Sequence, residues 1–271
     1  MSLFVASLNS GSNGNCYYVG NEHDAVLIDA GISCRETETR MARLGLSLRK
    51  VRAIFISHEH GDHIRGLAVL AKKYSLPVYI TPLTLLHSGL QIADGLLRSF
   101  YADIPVNIGS FWVTPFNKMH DAAEPHSFTV ACGDLKVGVF TDLGVVCENL
   151  IAQFQQCHAA FLEANYDEDM LERGGYPYHL KRRIRGGKGH LSNTQALALF
   201  EAYRPGFMTH LFLSHLSKDN NCPDLALALF KKCAGETEVI VASRYAETAL
   251  YQVTGSHQIN NPAIKLQFSL F

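Results

Sequence analysis

From Val51 to Ile56 the chain is almost unbroken apolar residue, and it then enters His58-Glu59-His60-Gly61-Asp62-His63. This junction restricts the fold strongly. An apolar run of strand length must be buried, and a segment with three imidazoles and a carboxylate must lie at its carboxyl end. In an extended or turning segment alternate side chains point the same way. His58 and His60 can therefore grip one ion while Asp62 and His63, around the next bend, reach a second. Imidazole nitrogen and carboxylate oxygen suit zinc, manganese or iron, whereas a closed set of thiolates would mark a structural zinc site. The plain alternative is a histidine-rich surface turn or helix cap. The rest of the chain discriminates, because two ions need more ligands than this loop holds.

Other apolar runs end in the same kind of residue. Ala25-Val26-Leu27-Ile28 leads into Asp29, and a helix is expected from Ser33, with Glu36 placed for a capping box. Asp29 is either a turn former or cap, or a carboxylate that orients a metal-binding imidazole. Phe111 to Phe116 precedes His120, and a Gly133-Asp134 turn joins hairpin strands of which the second, Leu135 to Phe140, delivers Asp142. Asp142 can cap a helix near Val145 or share its oxygens between two cations. Phe207 to Ser214 ends at His215, while His126 and His210 read as structural. Helices are expected over Ile64 to Tyr74, from Pro82 to about Leu97, over Leu191 to Tyr203 and over Asp224 to Cys233. Strands are expected at Glu238 to Ala242 and Ile264 to Phe268. The loop Asn9-Ser10-Gly11-Ser12-Asn13-Gly14-Asn15 reads as the turn of an N-terminal hairpin, or as backbone amides that line the site or meet a phosphate.

Between Tyr176 and His190 the composition changes. Lys181, Arg182, Arg183, Arg185 and Lys188 follow Tyr176 and Tyr178, are joined by glycines and run straight into His190. Such a run is either a solvated helix face or a surface for a phosphate backbone, and its continuity with His190 favours the polyanion. The net charge of −1 means that a polyanion has to be met by a local patch of this kind. With 271 residues, 47% hydrophobic and 18% charged, the chain is expected to form one domain over residues 1–271 with a full core. The absence of a leader pattern and of any apolar run near ~20 residues leads to the expectation of a cytoplasmic protein without a membrane partner. The seven cysteines form no C-x-x-C pair and read as reduced thiols.

Asp29, the histidine loop, His120, Asp142, His190 and His215 thus all follow apolar runs, as one chemistry-bearing rim of a sheet assembly would require. In this pattern the sequence resembles the metallo-β-lactamase superfamily over nearly its whole length. The resemblance implies an α/β fold, an αββα four-layer sandwich of two mixed β-sheets flanked by helices, with a dinuclear site at one edge. It implies that His58, His60 and His120 hold one divalent ion and Asp62, His63 and His215 the other, with Asp142 bridging and Asp29 behind. Asp142 and His63 are unlike the antibiotic-hydrolysing members and similar to the phosphodiesterase and glyoxalase branches. Gly189-His190-Leu191-Ser192-Asn193 resembles the extra histidine motif of RNase Z and related phosphodiesterases, where the histidine assists at the leaving group or scissile phosphate. Four stretches, Ser10 to Cys16, His120 to Pro125, Lys181 to Ile184 and His215 to Asn221, resemble the WalJ (YycJ) family, which is associated with DNA exonuclease activity. Tyr166 stands where that family is expected to show histidine, so no role is carried to it. The chain has no room for the long inserted domain of β-CASP nucleases.

The expected function is metal-dependent phosphodiester hydrolysis, as a DNA exonuclease using a metal-activated water, with Asp62 and His190 as catalytic groups. Two zinc or manganese ions, with iron also compatible, are the expected cofactors. The expected partner is nucleic acid, DNA before RNA, bound by Lys181, Arg182, Arg183, Arg185 and Lys188, with no protein partner required. The alternatives are a small-molecule metallohydrolase acting on a thioester, lactone or small phosphodiester, and a silent nucleic-acid-binding module, which predicts degraded ligands.

Overall fold

The apolar runs become strands that sort into two sheets, and the structure, a computed structural model, describes residues 2–255. The first sheet takes β1 (Ser2–Asn9), β2 (Cys16–Gly20), β3 (Ala25–Ile28), β4 (Val51–Phe55), β5 (Val78–Tyr79) and β6 (Leu97–Arg98) in sequence order. Its β1, β2 and β3 pair antiparallel, and β3 to β6 pair parallel. The second sheet repeats this scheme with β7 (Val106–Ile108), β8 (Phe111–Asn117), β9 (His126–Cys132), β10 (Leu135–Phe140), β11 (Ala159–Glu163), β12 (His210–Ser214) and β13 (Glu238–Val241). There β7 to β10 are antiparallel and β10 to β13 parallel. A last strand, β14 (Tyr251–Thr254), returns to pair antiparallel with β1 and brings the first sheet to seven strands.

The strands are apolar on both faces because both faces are covered. In β11 Ala159 and Phe161 enter the core between the sheets, where Tyr17, Phe55, Phe128 and Phe212 also sit, whereas Ala160 and Leu162 face helices. Rings of Tyr17 and Phe161, from opposite sheets, lie 4.9 Å apart. Outside the first sheet pack α1 (Cys34–Arg43), α2 (Gly61–Ile64) and α3 (Leu67–Tyr74), through Met41, Ile64, Leu67 and Leu70. After β5 comes α4 (Pro82–Ser88), whose Leu85 packs against the same cluster. The second sheet is covered by α5 (Glu148–Phe154), then, after α6 (Glu168–Arg173) and α7 (Tyr178–Ile184), by α8 (Asn193–Tyr203) and α9 (Pro223–Lys231). The result is helices, sheet, sheet, helices, the expected αββα sandwich of two mixed sheets.

Caps form where side-chain oxygens were placed for them. Ser33 accepts from the Glu36 amide at the start of α1, and Ser192 with Gln195 makes a reciprocal capping box on α8. Two expected helices differ. The stretch Ile64 to Tyr74 is broken at Arg65-Gly66, because the Gly66 amide donates to Ala30 O at 2.9 Å and a Cβ there would lie 1.9 Å from Ile32 O. The helix from Pro82 stops at Ser88, where Gly89 turns left-handed with φ 63°, and the apolar residues that follow pack as a short turn and β6 instead. The run Ile264 to Phe268 lies outside the described residues. Among those described, no helix is long and apolar enough to cross a membrane.

The carboxyl ends of β3, β4, β10, β11 and β12 all open at one edge of the sandwich, where parallel strands leave a crevice for ligands. Three loops interlock there. The Asn15 amide donates to Asp62 O at 2.7 Å and the Gly31 amide to Asn15 O at 2.8 Å. A Cβ on Gly31 would fall 1.6 Å from Asp62 O, so only glycine lets the loops close. Gly31→Ala is expected to lower the melting temperature by the equivalent of about 1–3 kcal/mol or more, whereas Gly95→Ala, with open space around it, is expected to leave the melting curve in place. Matched thermal melts of the two variants check this.

Candidate metal centre

The histidine loop turns at the end of β4 so that His60 caps α2 and Asp62 and His63 fall in its single turn. His58 Nε2 and His120 Nε2 approach His60 Nδ1 at 3.1 and 3.4 Å. Donors bound at about 2.0–2.1 Å in a tetrahedron lie about 3.4 Å from one another. The three nitrogens are therefore spaced as the ligands of one ion. A second group gathers beside it: His63 Nε2 is 3.5 Å from Asp62 Oδ2, which is 3.5 Å from His215 Nε2. Asp142 stands between the groups. Its Oδ1 is 3.8 Å from His120 Nε2 and 3.6 Å from His215 Nε2, while its Oδ2 is 3.1 Å from His63 Nε2. Oδ2 is buried, and apart from His63 Nε2 it meets no donor among the described residues, so a cation would satisfy it. The donor set and its spacing fit two divalent ions, a second requirement being that the ligands be held from behind.

They are. His58 Nδ1 meets Ser57 Oγ at 2.9 Å, His63 Nδ1 meets Asp29 Oδ2 at 2.7 Å, His120 Nδ1 meets Gly189 O at 3.1 Å and His215 Nδ1 meets Glu163 Oε1 at 3.1 Å. With the far nitrogen engaged, each ring presents Nε2 to the centre. Asp29 also accepts from the amide and hydroxyl of Ser57, so one buried carboxylate positions two of the three histidines of the β4 loop, His63 directly and His58 through Ser57. Asp29, Asp142 and His215 take left-handed backbone angles, φ 62°, 54° and 56°, at the ends of β3, β10 and β12. Such strain persists where surrounding structure over-determines it, and it clusters at functional sites.

The electrostatics demand positive charge here. Burial by itself would depress the His63 pKa, yet Asp142, Asp29 and Asp62 lift it well above the usual imidazole range. His215 likewise overcomes burial, through Asp142, Asp62 and Glu163, and rises to about 10. His58, buried and beside His63, is pushed well below the usual range, and burial takes His120 to about 4. The carboxylates thus favour positive charge at His63 and His215, while burial favours neutral rings at His58 and His120.

His190 lies at the mouth, outside both groups. Its Nδ1 is 2.8 Å from Glu163 Oε1, and its ring centroid is 5.4 Å from that of His120 and 5.3 Å from that of His215. Glu163 is fully buried and also accepts from the amides of Leu143 and Leu191. Burial opposes its ionisation, but His190 outweighs burial and brings its pKa to about 2. Glu163 went unassigned in the sequence, although it occupies the same place after an apolar run as Asp142 and His215. Asn15 was also missed as an individual. Its amide nitrogen reaches Asp62 Oδ2 and His63 Nε2, each at 3.1 Å, while its oxygen accepts from Gly11 N and Tyr17 OH. The Asn9 to Asn15 loop therefore lines the site. The amides of Ser10, Gly11, Gly14 and Asn15 are hydrogen-bonded within the protein, so those four are not offered to a phosphate.

The basic run forms α7 and the turn after it. Arg183 Nε pairs with Asp121 Oδ2 at 2.5 Å, Arg185 with Glu172 at 3.1 Å, and Lys181 Nζ donates to Glu172 O. Arg182 and Lys188 are exposed and make no ion pair among the described residues. Arg183 thus ties α7 to the segment that carries His120. Tyr166 is buried and pairs with Ser192, a packing role.

The profile described as the metallo-beta-lactamase superfamily matches residues 10–166. "Exodeoxyribonuclease YycJ" of Bacillus anthracis is 36% identical over 229 residues, 83% of this chain and 87% of that protein. "Exodeoxyribonuclease WalJ" of Streptococcus pneumoniae is 31% identical over 224 residues, 81% and 83% of the two chains. Among solved structures, the metallo-beta-lactamase fold protein YhfI from Bacillus subtilis superposes with a TM-score of 0.72 at 16% identity, over 93% of this chain and 100% of that one, a likeness of fold.

Glu163→Gln keeps the shape but loses the charge that orients His215 and His190. It is expected to weaken metal affinity about 10–100-fold, read by competition with a chromophoric chelator, while His210→Gln, remote from the centre, is expected to retain wild-type affinity.

Proposed function

The chain belongs to the metallo-β-lactamase superfamily and is a hydrolase of that fold, and we propose that it is a dinuclear metal-dependent phosphodiesterase acting as a DNA exonuclease. The observation that carries this reading is His190, an imidazole beyond the two ligand groups, fixed by Glu163 and open to solvent at the mouth. A thioester expels a thiolate, which needs no proton donor, whereas an alkoxide leaving phosphorus does. The two relatives named exodeoxyribonuclease support nucleic acid as the polymer and DNA as its kind.

His58, His60 and His120 would hold one ion and Asp62, His63 and His215 the other, with Asp142 shared between them. Bound there, divalent ions supply charge neutralisation at a phosphoryl oxygen and an acidified water. The chain does the rest. Ser57, Asp29, Gly189 O and Glu163 fix the imidazole rings before substrate arrives, so little reorganisation remains for the reaction. Because ionised Glu163 accepts from Nδ1 of His190, Nε2 is left to exchange a proton with the departing oxygen. Asp62, whose Oδ2 lies 3.5 Å from both His63 Nε2 and His215 Nε2, would orient the attacking water. Arg182 and Lys188 hold the strand, with Lys181, Arg183 and Arg185 shaping the surface around them. The donors suit zinc or manganese, with iron compatible. All seven cysteines are unpaired thiols. This supports a reducing, cytoplasmic setting.

Purified protein reconstituted with manganese or zinc is expected to degrade end-labelled DNA, and Asp62→Ala or Asp142→Ala is expected to reduce the rate at least about a thousandfold, several kcal/mol of transition-state stabilisation. Undiminished cleavage by either variant, or hydrolysis of a thioester with DNA left intact, would overturn the reading. Arg182→Gln and Lys188→Gln are each expected to lower by about one the slope of log affinity against log salt, measured by fluorescence anisotropy on duplex DNA.

A further inference from the structure

Beside the loop that carries His215 lies a second cavity, of about 250 Å³, whose walls include Ser10, Leu216, Lys218, Pro223, Arg244 and Tyr245. It adjoins the metal centre. Ser10 Oγ accepts from the His215 amide at 2.7 Å, and Leu216 follows His215 directly. Nothing in the hydrolytic machinery uses this space, although Ser10 to Cys16 and His215 to Asn221 are two of the stretches that make the sequence distinctive.

Its walls are polar in one place and apolar in another. Arg244 lines the cavity, its Nη2 donating to Ser12 Oγ at 3.2 Å and its guanidinium carbon 6.0 Å from the centroid of the Tyr245 ring. A guanidinium held in this way on a cavity wall is a fitting partner for a phosphate. Exposed Lys218 stands at the rim as a second cation. The neighbouring carboxylate, Asp219, accepts from Tyr176 OH at 2.8 Å and is not part of the lining. Leu216, Pro223 and Val241 form an apolar floor, and Tyr245 is 72% exposed beside it. A flat base can stack on such a ring while its phosphate meets the arginine. The wall is rigid beforehand: Ser10 N donates to Ser243 O at 3.1 Å, Asn13 Nδ2 to Arg244 O at 2.8 Å and buried Arg40 Nη2 to Tyr245 O at 3.1 Å.

We propose that this cavity is a nucleotide subsite, which takes one nucleotide unit of the substrate strand next to the bond being cut, its phosphate on Arg244 and Lys218 and its base against Tyr245. The assignment of the occupant as part of a strand rests on the phosphodiesterase reading. The binding of a nucleotide does not.

Calorimetric titration of the metal-loaded full chain with deoxyadenosine monophosphate, and with deoxyadenosine as the phosphate-free reference, tests the site. Wild type is expected to bind the monophosphate at least tenfold more tightly than the nucleoside, with Arg244→Gln erasing that margin and Lys218→Gln, on an exposed residue that folding does not need, narrowing it about threefold. On end-labelled DNA both variants are expected to raise KM with kcat held, and metal content equal to wild type establishes that the centre is intact. Unchanged monophosphate affinity in both variants overturns the subsite, even if DNA is cut as proposed. Loss of the margin in a protein that cuts no DNA keeps the subsite and overturns the DNA reading instead.

Discussion

Buried negative charge governs the open edge of this sandwich. Asp29, Asp142 and Glu163 are all but sealed from water, and a carboxylate in that position is tolerated only when cations or donors surround it. Each is surrounded by imidazoles: Asp29 by His63, Asp142 by His63, His120 and His215, Glu163 by His190 and His215. The rings are held in place by the carboxylates, and the carboxylates are admitted to the interior by the rings. This mutual dependence holds together a centre built from the ends of six strands in two sheets. It also separates the carboxylates by position, with Asp62 and Asp142 among the converging imidazole nitrogens and Asp29 and Glu163 behind the rings.

The backbone carries part of the same burden. A strand that ended in ordinary extended geometry would continue its side chains up and down across the sheet, away from the crevice. The left-handed turn at Asp29, Asp142 and His215 swings each side chain over the strand end and toward the others. Gly31 and Gly66 permit the loops to nest closely enough for Asn15 to touch both Asp62 and His63. Local strain is thereby exchanged for convergence.

Much of this was legible in the sequence, for definable reasons. Parallel strands buried on both faces leave continuous apolar runs such as Ala159-Ala160-Phe161-Leu162, and residues of ligand type directly after them mark the rim. That logic reached His58 to His63, His120, Asp142, His190 and His215, all of which converge. It passed over Glu163, which obeys the same rule but carries no motif of its own. What stayed hidden depends on partners distant in sequence. The break before Leu67 is imposed by Ala30 and Ile32, and the attachment of Arg183 to Asp121 spans 62 positions. No local pattern in the basic run distinguishes Arg183, engaged with Asp121, from Arg182, exposed to solvent.

The return of β14 to β1 has a consequence for how the molecule comes into being. Ser2 pairs with Thr254, and the Ser7 amide donates to the Thr248 hydroxyl 241 residues further along. The hairpin that holds Asn15 therefore keeps an open hydrogen-bonding edge until the whole second sheet has been synthesised, a non-local closure that is slow to form and exposed to wrong pairing meanwhile. The half that contributes the His58 to His63 loop is made first and finished last, so a nascent chain presents those imidazoles, with Asp29 and Ser57 behind them, before His120, Asp142 and His215 exist.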